Sequence, residues 1–167
     1  MAESWGNHVA IVAEGILRQP NDSSLIIPGL MLYKSLVKDH RVSLIIDTSS
    51  EARKKIQYWL LMNSLTDHTK EIYWDDTDSE DTAERRISQI GRLRQDGPLS
   101  MVFESDTNCA TALMKIGVPS FLFLHPQYMH PEHRPGNSPE ITPWNELLSE
   151  QRRQREARAT DTRYNDF

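Results

Sequence analysis

The sequence predicts an α/β domain, a three-layer sandwich built around a mainly parallel sheet of five strands. Three observations carry that expectation. Short apolar runs alternate with helix-period segments about five times along the chain, the sequence form of strand–helix–strand crossovers. The runs are bounded by Gly, Pro, Asp and Ser, the residues that punctuate strands and start helices. At 167 residues, with 38% hydrophobic and 26% charged residues, the chain has material for one core and not for two.

The first run, His8 to Ala13 (HVAIVA), ends in Glu14-Gly15. A polar stretch, Arg18 to Ser24, leads to Ile26-Ile27-Pro28-Gly29 and a helix predicted over Leu30 to Lys38. Proline costs no hydrogen bond near a helix start, because the first N–H groups have no intrahelical partner. The second strand, Val42 to Ile46, stops at Asp47-Thr48-Ser49-Ser50, a capping sequence for a helix over Glu51 to Asn63. Glu71 to Trp74 reads as a short third strand at the sheet edge, and a helix over Thr82 to Gln95 ends at Asp96-Gly97-Pro98. The fourth strand, Leu99 to Phe103, runs into Glu104-Ser105-Asp106. A helix then extends to Ile116, Gly117 caps it, and Val118 to Leu124 forms the fifth strand. Residues 126–142, rich in Pro and His, read as a loop, and 143–167 as a helix that starts apolar (Trp144, Leu147, Leu148) and becomes a charged tail. The expected organisation is an α/β domain over 1–125, the loop, and the terminal helix with its tail.

Lys and Arg number 19 against 24 Asp and Glu, a net charge of −5, so the bulk charge does not indicate a nucleic-acid partner. Asp75 to Glu84 alone holds six acids, which reads as a solvated loop and the acidic first turn of a helix. The single cysteine, Cys109, permits neither an internal disulfide nor a multi-cysteine zinc site. His125, His130 and His133 match no zinc spacing. With no signal-like start and no apolar run of membrane-spanning length, the expectation is a cytoplasmic protein off the membrane.

In open parallel sheets, ligands bind outside the carboxyl ends of the strands, at the point where the strand order reverses. Glu14 follows the first strand, Asp47-Thr48 the second, and Glu104 and Asp106 the fourth. Each alone reads plainly as a cap or a solvated end; their coincidence on three strands of a Rossmann-like sheet gives the joint reading. Converging carboxylates repel unless a cation neutralises them, and Mg²⁺ takes oxygen ligands of this kind while bridging to phosphate. Glu14, Asp47, Glu104 and Asp106 are therefore the candidate metal ligands.

The order of these features resembles the haloacid-dehalogenase superfamily over roughly residues 8 to 124. Val12-Ala13-Glu14-Gly15-Ile16-Leu17 stands where that family has Asp-x-Asp-Gly-Thr-Leu, followed by Pro28-Gly29 opening a helix, a strand ending in Thr48, and acids before a helix closing in Ile116-Gly117-Val118-Pro119. The resemblance implies a capless domain of this fold. It makes Glu14 and Asp106 the candidate catalytic residues, Glu14 at the general acid and base position and Asp106 at the acidic fourth motif, with phosphate contacts from Gly15, Thr48 and Ser49 and Mg²⁺ as cofactor. The nucleophile position is Val12, which has no oxygen to attack phosphorus. For the family's third-motif lysine, Lys70, Arg85 and Arg86 are the candidates. Glu14-Gly15 with Glu104-x-Asp106 is also similar to the Toprim pattern of topoisomerases and primases, in which a glutamate acts as acid or base and an acidic pair holds Mg²⁺. The expected function is a degenerate binding or interaction module, for a phosphate-containing small molecule or for a protein partner met through the C-terminal helix. The alternative is a metal-dependent phosphohydrolase or Toprim-like enzyme acting on nucleotides or nucleic acid.

Overall fold

A computed structural model of the chain describes residues 8–20, 23–124, 149 and 152–153. The chain divides into two units, Met1–Tyr128 and Met129–Phe167. In the second, Ser149, Arg152 and Arg153 are helical and exposed; the expected loop, with its histidines, and the rest of the terminal helix lie outside the described residues.

The first unit is an α/β sandwich whose five strands run parallel in the order β3-β2-β1-β4-β5. The central strand, β1 (His8–Val12), is buried at all five positions, as expected of a parallel strand covered on both faces. It pairs with β2 (Arg41–Ser49) through Val9–Val42 and Ile11–Leu44, and with β4 (Met101–Glu104) through Ala10–Val102. β3 (Lys70–Trp74) and the three-residue β5 (Ser120–Leu122) form the edges.

Four helices complete the layers. α1 (Ile27–Leu36) and α2 (Arg53–Met62) follow β1 and β2, while α3 (Thr82–Arg94) and α4 (Thr107–Lys115) follow β3 and β4 and pack on each other. Parallel crossovers are right-handed as a rule, and with the strand order reversing between β1 and β4 that rule puts the two helix pairs on opposite faces. Val9, Ile11, Leu44, Ile46, Ile90, Leu93 and Leu113 lie in the core they enclose.

Two element boundaries differ instructively from the sequence reading. α1 begins three residues early, at Ile27, because Pro28 occupies a first-turn position where its missing N–H costs nothing. Gly29 makes that start possible: a Cβ there would stand 1.6 Å from the Ile16 carbonyl oxygen. β2 runs three residues beyond Ile46, and a 3-10 turn at Ser50–Ala52 precedes α2, whose start carries no side-chain cap bond. Asp47 to Ser49 therefore extend a strand where the sequence predicts a helix cap, and Ser50 opens the 3-10 turn.

Candidate functional site

Strand order reverses between β1 and β4, so the crevice of this sheet opens where Glu14, Asp47–Ser49 and Glu104–Asp106 leave their strands. The local backbone is specialised. The β2–β3 register passes from Ile46–Tyr73 to Ser49–Trp74, so Asp47 and Thr48 are bulged out of the ladder. Bulges re-aim side chains and free backbone groups, and this one does both. The Asp47 N–H donates to the Glu14 carboxylate at 2.8 Å, and the Thr48 hydroxyl is turned toward the same carboxylate at 3.5 Å.

Gly15 holds φ +81°, a conformation costly for other residues, and a Cβ on it would lie 2.5 Å from the Ser105 hydroxyl. That hydroxyl donates to the Glu14 carbonyl at 2.8 Å, clamping the turn after β1 to the turn after β4. Gly15 thus serves a close approach of two backbone segments.

Each carboxylate at these strand ends has a partner in the protein. Arg18 donates through Nε and Nη2 to Glu14 Oε1, at 3.1 and 2.8 Å, and through Nη2 to the Thr48 hydroxyl at 3.0 Å. Arg86 is the more buried centre, its side chain 1% exposed. Its Nε donates to Glu104 Oε2 at 2.6 Å, Nη1 and Nη2 to the two Asp47 oxygens at 2.9 and 2.5 Å, and Nη1 also to Gln89 Oε1 at 2.7 Å. The other Glu104 oxygen accepts the Ser105 and Asp106 N–H groups, at 2.9 and 3.1 Å. Asp106 is exposed and caps α4 by accepting the Cys109 N–H at 2.8 Å.

The electrostatics follow from this packing. Burial opposes the Arg86 charge, but Glu104 and Asp47 outweigh it and hold the guanidinium protonated. Burial pushes the Glu104 carboxyl up, against the pull of Arg86 and the two N–H donors. Burial, with Glu104 close by, also raises the Cys109 thiol, which excludes it as a reactive thiolate. Two guanidinium charges thus stand among four carboxylates, leaving the crevice acidic.

The predicted site residues are therefore placed as follows. Glu14, Asp47 and Thr48 form one hydrogen-bonded cluster, and Asp47 shares Arg86 with Glu104. Asp106 is engaged at the α4 start by the Cys109 N–H, while Glu104 is engaged by Arg86. Ser49 is back in the ladder opposite Trp74. Among the described residues, no three His, Cys, Asp or Glu side chains are arranged to hold a metal ion. The expected Mg²⁺ set does not fit this arrangement, because Arg86 fills the space between Asp47 and Glu104. Val12, at the nucleophile position, is fully buried.

Sequence reasoning left Arg18 in a polar stretch and gave Arg86 no context. A signal for Arg86 was present. Arg86, Gln89, Ile90 and Leu93 follow the i, i+3, i+4, i+7 spacing of the buried face of α3, which places a charge and an amide on a core stripe. A buried charge in a native core implies a buried counter-charge. No comparable pattern marks Arg18, which reaches Glu14 through a turn in which Gly15 N–H bonds the Arg18 carbonyl.

No family model matches the chain, and no curated protein matches it. Solved structures do. A chain of the Pnkp1/Rnl/Hen1 RNA repair complex is similar over 72% of this chain, at 15% identity and a TM-score of 0.61. A chain from a second structure of the Pnkp1/Rnl/Hen1 complex is similar over the same share, at 12% identity and a TM-score of 0.61. This chain spans under half of each, 43% and 47% of their lengths. At such identity the likeness is one of fold, and it identifies the first unit as a Rossmann-like three-layer α/β domain.

Proposed function

We propose that this chain is a degenerate haloacid-dehalogenase-like domain that serves as a binding or interaction module, without aspartyl-phosphate chemistry. The observation that carries the reading is the fate of the polar groups at the switch point. Val12 is fully buried where a nucleophile is needed, and Glu14, Asp47 and Glu104 are bonded to Arg18 and Arg86. A general base must be free to reach a proton, and a metal ligand must face its ion. Here arginine takes the place of a cation beside Glu14, Asp47 and Glu104, so these carboxylates are partnered without a reaction centre. The neighbours of similar fold belong to a multi-protein complex, which supports a role within an assembly. No helix among the described residues is long and apolar enough to cross a membrane.

The test is phosphate release from p-nitrophenyl phosphate and from nucleotide 3′- and 5′-monophosphates in Mg²⁺ buffer. The expected result is no turnover above a buffer blank. Release that Glu14→Gln or Asp106→Asn abolishes would overturn the proposal in favour of a metal-dependent phosphohydrolase.

A further inference from the structure

The acidic crevice is flanked, at the β3 side of the same carboxyl edge, by a group of opposite character. Arg85 neighbours Arg86 on α3 but points elsewhere, its guanidinium carbon 4.5 Å from the centroid of the Trp74 ring. Trp74 ends β3 and pairs with Ser49 just past the β2 bulge. The residue is 8% exposed, yet Arg85 forms no ion pair among the described residues. Its hydrogen bonding is confined to one contact of 3.4 Å from Nη1 to the Ser79 carbonyl, and its buried Nε has no partner.

That state is unusual for a charge nine-tenths removed from water. Buried ions are paired, as Arg86 is with Glu104 and Asp47 one position along the same helix. A ring face holds a guanidinium in place and leaves its in-plane donors for another group. Those donors form a planar fork matched to carboxylate and phosphate oxygens. The acidic stretch before α3 does not supply the match: no described carboxylate of it forms an ion pair with Arg85, and Asp78 is taken by Arg92 and Ser88 and Glu84 by Ser79.

We propose that Arg85, braced on Trp74, is an anion-binding group whose missing partner is a phosphate monoester. The site is distinct from the crevice residues Gly15, Thr48 and Ser49, and it does not depend on the absence of catalysis. Its failure would leave that reading standing, and turnover in the phosphatase assay would leave this one standing.

The test uses the full chain in phosphate-free buffer, with melting temperature and calorimetric titration as readouts. The probes are inorganic phosphate, adenosine monophosphate, adenosine, and an oligonucleotide with and without a 5′-phosphate. Phosphate and the monophosphate, at about ten times their dissociation constant, are expected to raise the melting temperature by roughly 3–6 °C, and adenosine to do nothing. Arg85→Gln should melt close to the unsubstituted protein without anion and lose the response, and Arg85→Lys should keep a weakened one. A stronger response to the phosphorylated oligonucleotide than to free phosphate would assign the monoester to a polynucleotide end; the reverse would assign it to a small molecule. No shift with any of these anions, or a shift that survives in Arg85→Gln, would overturn the proposal. So would an anion-independent loss of stability in Arg85→Gln with no phosphate response in Arg85→Lys, which would make Arg85 a structural prop.

Discussion

Replacing Arg86 by Met tests the arginine-centred account of the crevice most directly. Methionine keeps the length and apolar stem of the side chain and removes the guanidinium. Glu104, fully buried, is then left with two backbone N–H donors and no counter-charge, while Asp47, 16% exposed, retains access to water. Breaking a buried pair by removing one partner costs about 3–5 kcal/mol. For a domain of this size that is roughly a 6–20 °C fall in melting temperature, out of a total stability of order 5–15 kcal/mol. The companion substitution, Glu104→Gln, keeps an acceptor for the Ser105 and Asp106 N–H groups and leaves Arg86 its Asp47 bonds, so it should cost less. In the double variant no charge is left in the deep part of the site. Its loss should fall short of the sum of the two by about 2 kcal/mol or more, the coupling expected of residues in one network. Urea unfolding followed by tryptophan fluorescence gives all four corners of the cycle. An Arg86→Met protein within about 1 kcal/mol of the original, or additive single effects, would refute the assignment of Arg86 as the cation that holds this edge together.

Other substitutions separate backbone constraints from open space. Gly29→Ala would drive a Cβ into the Ile16 carbonyl and should cost more than about 4 kcal/mol, read as loss of soluble folded protein. Gly91→Ala, in α3 with nothing within 4 Å of the new methyl, should instead raise stability by about 0.5–1 kcal/mol in the same urea assay. Gly15→Ala meets both a φ of +81° and the Ser105 side chain, and Gly15→Ala/Ser105→Gly should recover only the part due to the clash. His8 supplies a pH effect. Burial first, and Arg41 second, lower its pKa below the ordinary 6.5, while Asp96 pulls the other way and Lys70 adds to the lowering. The unfolded chain therefore binds the proton first as pH falls through about 6.5, and folding free energy drains away below that value. Urea midpoints at about pH 7.5 and 5.5 should differ less in His8→Asn than in the original protein; an unchanged difference would clear His8 of the effect.

What the sequence made legible was order, and what it hid was reach. Five apolar runs separated by helix-period segments were enough to predict a parallel α/β sheet with acids at three strand ends, because strand ends are local features. The bulge that frees Asp47 and Thr48 depends on the register of two strands and has no signature within either. The same holds for Arg18 and Arg86. A long side chain can meet any acid within its radius, and only the packed fold decides that Arg86 bridges Asp47, 39 residues before it, and Glu104, 18 after it. The start of α1 was placed three residues late for a local reason: Pro28 and Gly29 read as the lead-in to a helix beginning at Leu30, whereas both lie within its first turn, where Pro28 is tolerated and Gly29 permits close contact with Ile16.

The proposed stand-in of guanidinium for metal also predicts how the crevice should answer divalent ions. A Mg²⁺ ion drawing on Asp47 and Glu104 would have to displace three hydrogen bonds of a buried guanidinium. If displacement costs the same 3–5 kcal/mol as breaking the pair, affinity falls by roughly two to nearly four decades, enough to abolish binding at millimolar concentrations. In Arg86→Met that obstacle is gone, and two carboxylates face each other across the vacated space with a third, Glu14, bonded to the Asp47 backbone. Mg²⁺ at about 10 mM should therefore leave the melting temperature of the original protein unchanged and raise that of Arg86→Met, by relieving the repulsion the substitution exposes. The opposite pattern, a Mg²⁺ response in the original that Arg86→Met loses, would mean that Arg86 orients a metal site instead of replacing one.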